Sequence, residues 1–97
     1  MLNQNQKKQL KALANKLDNK YQVGKNGISP TLIDMLDKAL KAHELIKLDV
    51  MKAVESPVME IALDLSSKLN AEIVSVIGRV IVLFRINKEN NKIKLVK

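Results

Sequence analysis

The sequence predicts a small α/β domain in which helices and strands take turns along the chain. Three observations carry this. Apolar residues recur at helical spacing in three separate stretches. Short alternating or β-rich runs lie between and after them. Read in sequence, the order is helix, strand, helix, strand, helix, strand, strand, and 97 residues make one domain. Right-handed crossovers then place the second and third helices on one side of a mixed four-stranded sheet. The first helix can join that layer or cover the opposite face, and the strand order stays open.

The first helix is expected over residues 5–19, with Leu10, Leu13, Ala14 and Leu17 on one stripe. Lys7 and Lys11 flank that stripe on one side, Lys16 and Lys20 on the other, and Lys8 points away. Tyr21-Gln22-Val23 is short and β-prone and leads into Gly24-Lys25-Asn26-Gly27. Ser29-Pro30 then starts a helix, because serine is a favoured N-cap and proline suits the first helical position. That helix, residues 30–43, has Leu32, Met35, Leu36, Ala39 and Leu40 as its apolar face. Asp34 and Asp37 are placed early, which suits the helix dipole, and the methionines read as core fillers.

Leu45 to Met51 alternates, with Ile46, Leu48 and Val50 on one face and Lys47 and Asp49 on the other. Ser56-Pro57 repeats the cap-and-proline signal ahead of a third helix, which buries Val58, Ile61, Ala62, Leu65 and Leu69 and stops at Asn70. Residues 72–77 and 80–86 are β-rich and joined by Gly78-Arg79, two residues that suit a type II′ hairpin turn with Arg79 exposed on its tip. Residues 87–97 are polar and basic, with Ile93 and Leu95 alternating against Lys92 and Lys94. They read as a basic tail, either loose or laid along the body.

Charge and composition narrow the function. The net charge is +7, unevenly spread. Residues 1–29 hold six lysines against Asp18 alone, residues 30–75 hold five lysines against eight acids, and residues 76–97 hold six basic residues against Glu89. Basic ends around an acidic middle suggest a polyanion partner meeting one side of the fold. There is no cysteine, so no disulfide and no thiolate metal site. His43 is the sole histidine and sits at a helix end, where a structural role suits it. Glu44 and Asp49 do not make an acid/base pair, and no nucleophile constellation is visible, so no enzyme, metal or cofactor is expected. Tyr21 and Phe84 are the only aromatics, too few for a base-stacking platform. The start, Met1 to Lys8, has no signal-like apolar run, and the longest apolar run, Val80 to Phe84, is too short to span a bilayer. A cytoplasmic monomer is therefore expected.

The focus of the chain is Gly24-Lys25-Asn26-Gly27. Glycines let backbone approach a ligand, Lys25 adds charge, and the helix start behind attracts anions. Two glycines can also merely turn a loop, so the motif needs company.

That company is present. Gln22-Val23-Gly24-Lys25-Asn26-Gly27-Ile28, His43-Glu44-Leu45-Ile46-Lys47 and Val76-Ile77-Gly78-Arg79-Val80, closed by Phe84-Arg85, resemble the YhbY-type CRM domain. The resemblance covers about residues 4–86, so the expected division is a domain over 1–86 and a basic tail over 87–97. It implies an RNA-binding α/β fold akin to the C-terminal domain of translation initiation factor three, with a KH-like GxxG loop. It further implies a partner in 23S ribosomal RNA or its precursor, and a role in large-subunit assembly. By the motif match, Gly24, Lys25, Asn26 and Gly27 take the loop role. Lys7, Lys8, Lys11 and Lys16, with Arg79 and Arg85, extend the RNA surface by their charge. The rival from another class is a protein-interaction module that docks its basic ends on an acidic protein. No membrane and no small-molecule substrate are expected.

Overall fold

The computed structural model describes residues 2–18, 21–89 and 93–96. The expectations for Lys20 and Lys92 lie outside the described residues. The elements are α1 (Gln4–Ala14), β1 (Tyr21–Val23), α2 (Pro30–His43), β2 (Leu45–Val50), α3 (Val58–Leu69), β3 (Glu72–Ile77) and β4 (Val80–Phe84), in the expected order.

The sheet order is β1-β2-β4-β3, with β1 parallel to β2 and β4 antiparallel to both of its neighbours. The last strand thus inserts between β2 and β3. Its composition suits that place: Val80 to Phe84 is apolar throughout, as a strand covered on both faces must be. Ile81 and Leu83 enter a large core with α2 and α3, built on Leu36, Leu40, Ala62 and Leu65. Val82 and Phe84 point the other way into a smaller core with Leu10, Ala14, Leu45 and Val74. The first helix therefore covers the opposite face of the sheet.

α1 opens with a capping box: the Gln6 N–H donates to Asn3 Oδ1 at 2.8 Å and the Asn3 N–H to Gln6 Oε1 at 3.0 Å. It ends at Ala14, well before residue 19. The chain tightens there, with Lys16 N–H on Leu13 O and Leu17 N–H on Ala14 O. Asn15 and Asp18 compete for backbone bonds and weaken further helix. Leu17 is left exposed as a result.

Several local expectations are corrected. Ser56 does not cap α3; Pro57, at φ −57° and ψ 142°, is itself the N-cap residue and no side chain caps the helix. The cap-and-proline device is therefore used once, at Ser29-Pro30. Asp34 and Asp37 lie beyond the first turn of α2 and instead pair with Lys38 and Lys41 one turn on, at 3.2 and 3.3 Å. Met35, Met51 and Met59 are exposed rather than core fillers, because the buried stripe of α2 runs through Leu32, Leu36, Ala39 and Leu40 and leaves Met35 on its flank. The strand read over 80–86 ends at Phe84. Asn70 does stop α3, in the left-handed conformation at φ 54°.

Residues 94 and 96 are held against α1. Gln9 works as a two-pronged clamp: its Nε2 donates to Lys94 O at 2.7 Å, and its Oε1 accepts from the Val96 N–H at 2.9 Å. Ile93 and Leu95 pack on the smaller core.

Candidate nucleic-acid interface

Parallel pairing of β1 with β2 brings the loops after both strands to one end of the sheet. The Met51 N–H donates to Val23 O at 3.0 Å, which ties the two loops together at their roots. The Gly78-Arg79 turn reaches the same end, since Val80 pairs with Asp49 and the Val50 N–H donates to Arg79 O at 2.8 Å.

The GxxG segment is a tight turn closed by the Gly27 N–H on Gly24 O at 2.9 Å. Lys25 and Asn26 occupy its two central positions, and both are exposed. Gly27 sits at φ +74°, where a Cβ is strained, so the conformation favours glycine there. Gly24 is different. A Cβ there meets Met51 Sδ at an ordinary 3.8 Å, so neither folding nor packing demands glycine.

Behind the turn, Ser29 Oγ accepts from the Leu32 N–H at 3.1 Å, and Pro30 has no N–H. The helix end is thus largely satisfied, with Thr31 carrying the amide of its first turn that is neither capped nor missing. The Gly27 amide is likewise used within the turn. What this segment presents outward is the exposed tip, Lys25 and Asn26, more than a row of glycine amides.

The two arginines are engaged inside the fold. Arg79 is half-buried rather than exposed on the hairpin tip. It folds back so that Nε donates to Val50 O at 2.9 Å and Nη2 to Met51 O at 2.7 Å. These bonds anchor the loop after β2, whose Met51 lies against Gly24. Arg85 is at the opposite end of the sheet from the turn. Its side chain is 19% exposed and makes a 2.8 Å bond to Asp37 Oδ1, with further bonds to Leu69 O and Asp37 O. The Arg85 hydrogen bond holds the Asp37 carboxyl below its ordinary 3.8; burial opposes this and Lys41 adds to it.

The lysines divide along α1. Lys7 lies beside Ala71, Glu72 and Ile73, at the end of the sheet where β3 begins. Lys11 lies beside Lys47, Ile77 and Val80, at the end that carries the GxxG turn. Lys8 and Lys16 are exposed, with Lys16 just past the helix. The fold thus gathers the turn, Arg79 and Lys11 at one end and leaves Lys7 and Arg85 elsewhere. Phe84 is buried and Tyr21 half-buried against the large core, which leaves little aromatic surface for a base.

Sequence reasoning missed two contributors. Lys47 belongs with Lys11, and the alternation of β2 does put it on the face away from the large core; what was lacking was the position of α1. Glu44 is fully buried, at φ 64°, with Oε2 accepting from the Asn87 N–H at 2.8 Å and Oε1 from the Ile93 N–H at 2.9 Å. No periodicity signals such a role. Among the described residues, no group of histidine and carboxylate side chains is placed to hold a metal ion.

A three-helix, four-strand domain that holds a GxxG turn between its edge strand and a capped helix defines a class of small α/β binding domains. This chain belongs to the CRS1/YhbY (CRM) domain family, whose sequence profile matches residues 2–85. It is 37% identical over 95 residues to the Bacillus subtilis protein named Probable RNA-binding protein YqeI, covering 98% of this chain and 99% of that one. It is 31% identical over 91 residues to Probable RNA-binding protein PA4753 of Pseudomonas aeruginosa, covering 94% and 88%. The solution structure of SAV1595 from Staphylococcus aureus, a candidate RNA-binding protein, superposes with a TM-score of 0.83. Its identity is 40%, over 99% of this chain and 100% of that one. No helix among the described residues is long and apolar enough to cross a membrane.

Proposed function

We propose that this protein is a non-catalytic RNA-binding protein that engages ribosomal RNA of the large subunit or its precursor, in the cytoplasm and as a monomer, during subunit assembly. The observation that carries the reading is the exposed Lys25-Asn26 tip, held in a hydrogen-bonded turn and braced from behind by Met51 and Arg79. The names of its relatives support RNA as the partner. Lys25 supplies charge to a phosphate and Asn26 a bond to phosphate or sugar. With Phe84 buried and Tyr21 half-buried, affinity comes from the RNA backbone more than from base stacking. Residues 1–86 form the domain in this reading and 87–97 its basic tail, of which Ile93 to Val96 lie as a strap against the body.

Co-sedimentation with ribosomal particles tests the reading. The protein is expected to travel with large-subunit precursors and to leave them after nuclease treatment. Association that survives nuclease would replace RNA with a protein partner. On purified single-stranded RNA, contacts to about five phosphates give a log–log salt slope of roughly −3 to −4. A slope near zero would remove the electrostatic mechanism.

A further inference from the structure

One groove borders the GxxG turn and another opens just past it, and neither suits a polyanion. One, about 510 Å³ between the turn and α3, sets Lys25 and Lys68 against Glu55 and Asp64. The next, along the start of α2, sets Lys68 against Asp34 and Asp37. A smaller cleft of about 220 Å³ opens on the other face of the sheet, where α1 stops short. Its lining carries Lys11 and Lys47 and no acid.

Strand register explains the cleft. Lys47, Val82 and Ser75 form one rung across β2, β4 and β3, while Gln22, Asp49, Val80 and Ile77 form the next, across all four strands. α1 ends at Ala14, so Ala14 and Asn15 wall the first of these rungs and the second is left open. Ile77 is 71% exposed in consequence. The floor is apolar, through Ile77, Val80 and Val82, and the two cations sit at its side. Asp49 marks the limit of the positive zone toward β1. Gln22 connects this open rung to the turn, since Val23 and Gly24 follow it directly.

The geometry points to a second RNA-binding site on this face: one unpaired nucleotide lies on Ile77 and Val80, and its flanking phosphates meet Lys11 and Lys47. The inference rests on the reading of the turn as an RNA contact, and it sends the strand toward α1 and away from α3. β1 and β4 are two strand spacings apart, about 10 Å. A few nucleotides of single strand cover that distance. A duplex is too broad for so small a cleft.

The test uses the full chain and a fluorescein-labelled single-stranded RNA, with a hairpin duplex of equal length for comparison. Joint replacement Lys11→Gln and Lys47→Gln is expected to weaken single-strand binding and to flatten its salt slope by about 1.4, two phosphates at roughly 0.7 each. Lys68→Gln, in the groove beside α3, is expected to leave the slope unchanged. If the double variant keeps the native slope while Gly24→Asp loses binding, the second site falls and the turn stands. If Gly24→Asp also binds normally, the functional reading itself falls. Photo-crosslinking of the unaltered protein to thiouridine-containing RNA needs no folded variant. Adducts on the peptide holding Ile77 and Val80 support the site, and adducts confined to α3 overturn it.

Discussion

Glu44 Oε1 accepts the backbone N–H of Ile93 at 2.9 Å, across 49 residues of sequence. The other oxygen holds Asn87, so one buried carboxylate ties the end of α2 to the segment that follows β4. Glu44 adopts a positive φ, which a non-glycine residue takes only at a cost of roughly 1–2 kcal/mol. Its hydrogen bonds offset that strain. Glu44→Gln keeps the shape but turns an NH2 group toward a donor, so a loss of about 2 kcal/mol is expected. That corresponds to a fall in Tm of roughly 10 °C for a domain of this size. Protease cleavage around residues 87–93 should rise in parallel. An unchanged Tm would show that the strap contributes nothing to stability.

Gly24 and Gly27 separate function from folding. Gly27→Ala is expected to cost about 1 kcal/mol of stability, because alanine is strained at φ +74°. Gly24→Asp adds a Cβ at ordinary contact distance from Met51 and brings a carboxylate to the root of the turn. Its thermal unfolding should stay near native while RNA affinity drops roughly tenfold, about 1.4 kcal/mol. Equal RNA affinity for the two proteins would remove the turn from the interface.

Lys25 and Arg79 should behave oppositely. Lys25→Gln is expected to flatten the salt slope of RNA binding by about 0.7 with no change in Tm. Arg79→Ala loses two bonds to carbonyls, one of them solvent-exposed, so a net cost of about 1 kcal/mol is expected. Hydrogen exchange at the Val50 amide, which bonds to Arg79 O, should quicken. Normal stability with a flattened salt slope would instead make Arg79 a phosphate ligand.

Asp37 gives a pH signature. Its carboxyl is held below 3.8 chiefly by the Arg85 hydrogen bond. A folded-state value below the unfolded one stabilises the protein above 3.8, and that stabilisation disappears as pH falls through the folded value. Native protein should therefore melt above Asp37→Asn at neutral pH, with the two melting temperatures converging as pH drops below 3.8. A gap that stays constant into acid would exclude this linkage.

The element order was readable because each piece carries its own local grammar. Leu32, Leu36 and Leu40 mark a helix by spacing alone, Ser29-Pro30 marks its start, and Gly78 marks the hairpin. Local grammar failed where two signals looked alike. Ser56-Pro57 has the same letters as Ser29-Pro30, yet Pro57 takes an extended ψ and the helix starts after it. Charge was also a poor guide to availability. Lys25 and Arg85 are both cations in the sequence, but one is exposed and the other is locked onto Asp37 and two backbone carbonyls.

Periodicity, capping and turn chemistry act within a few residues, so the chain alone settled its helices and strands, its family blocks and the position of the GxxG turn. Long-range pairing acts between segments whose separation leaves no local trace. The insertion of β4 between β2 and β3, the placement of α1 on the far face and the capture of residues 87 and 93 by Glu44 were decided only when the two cores closed. The cleft beside Lys47 arises in the same way, because it is the rung of sheet that α1 is too short to cover.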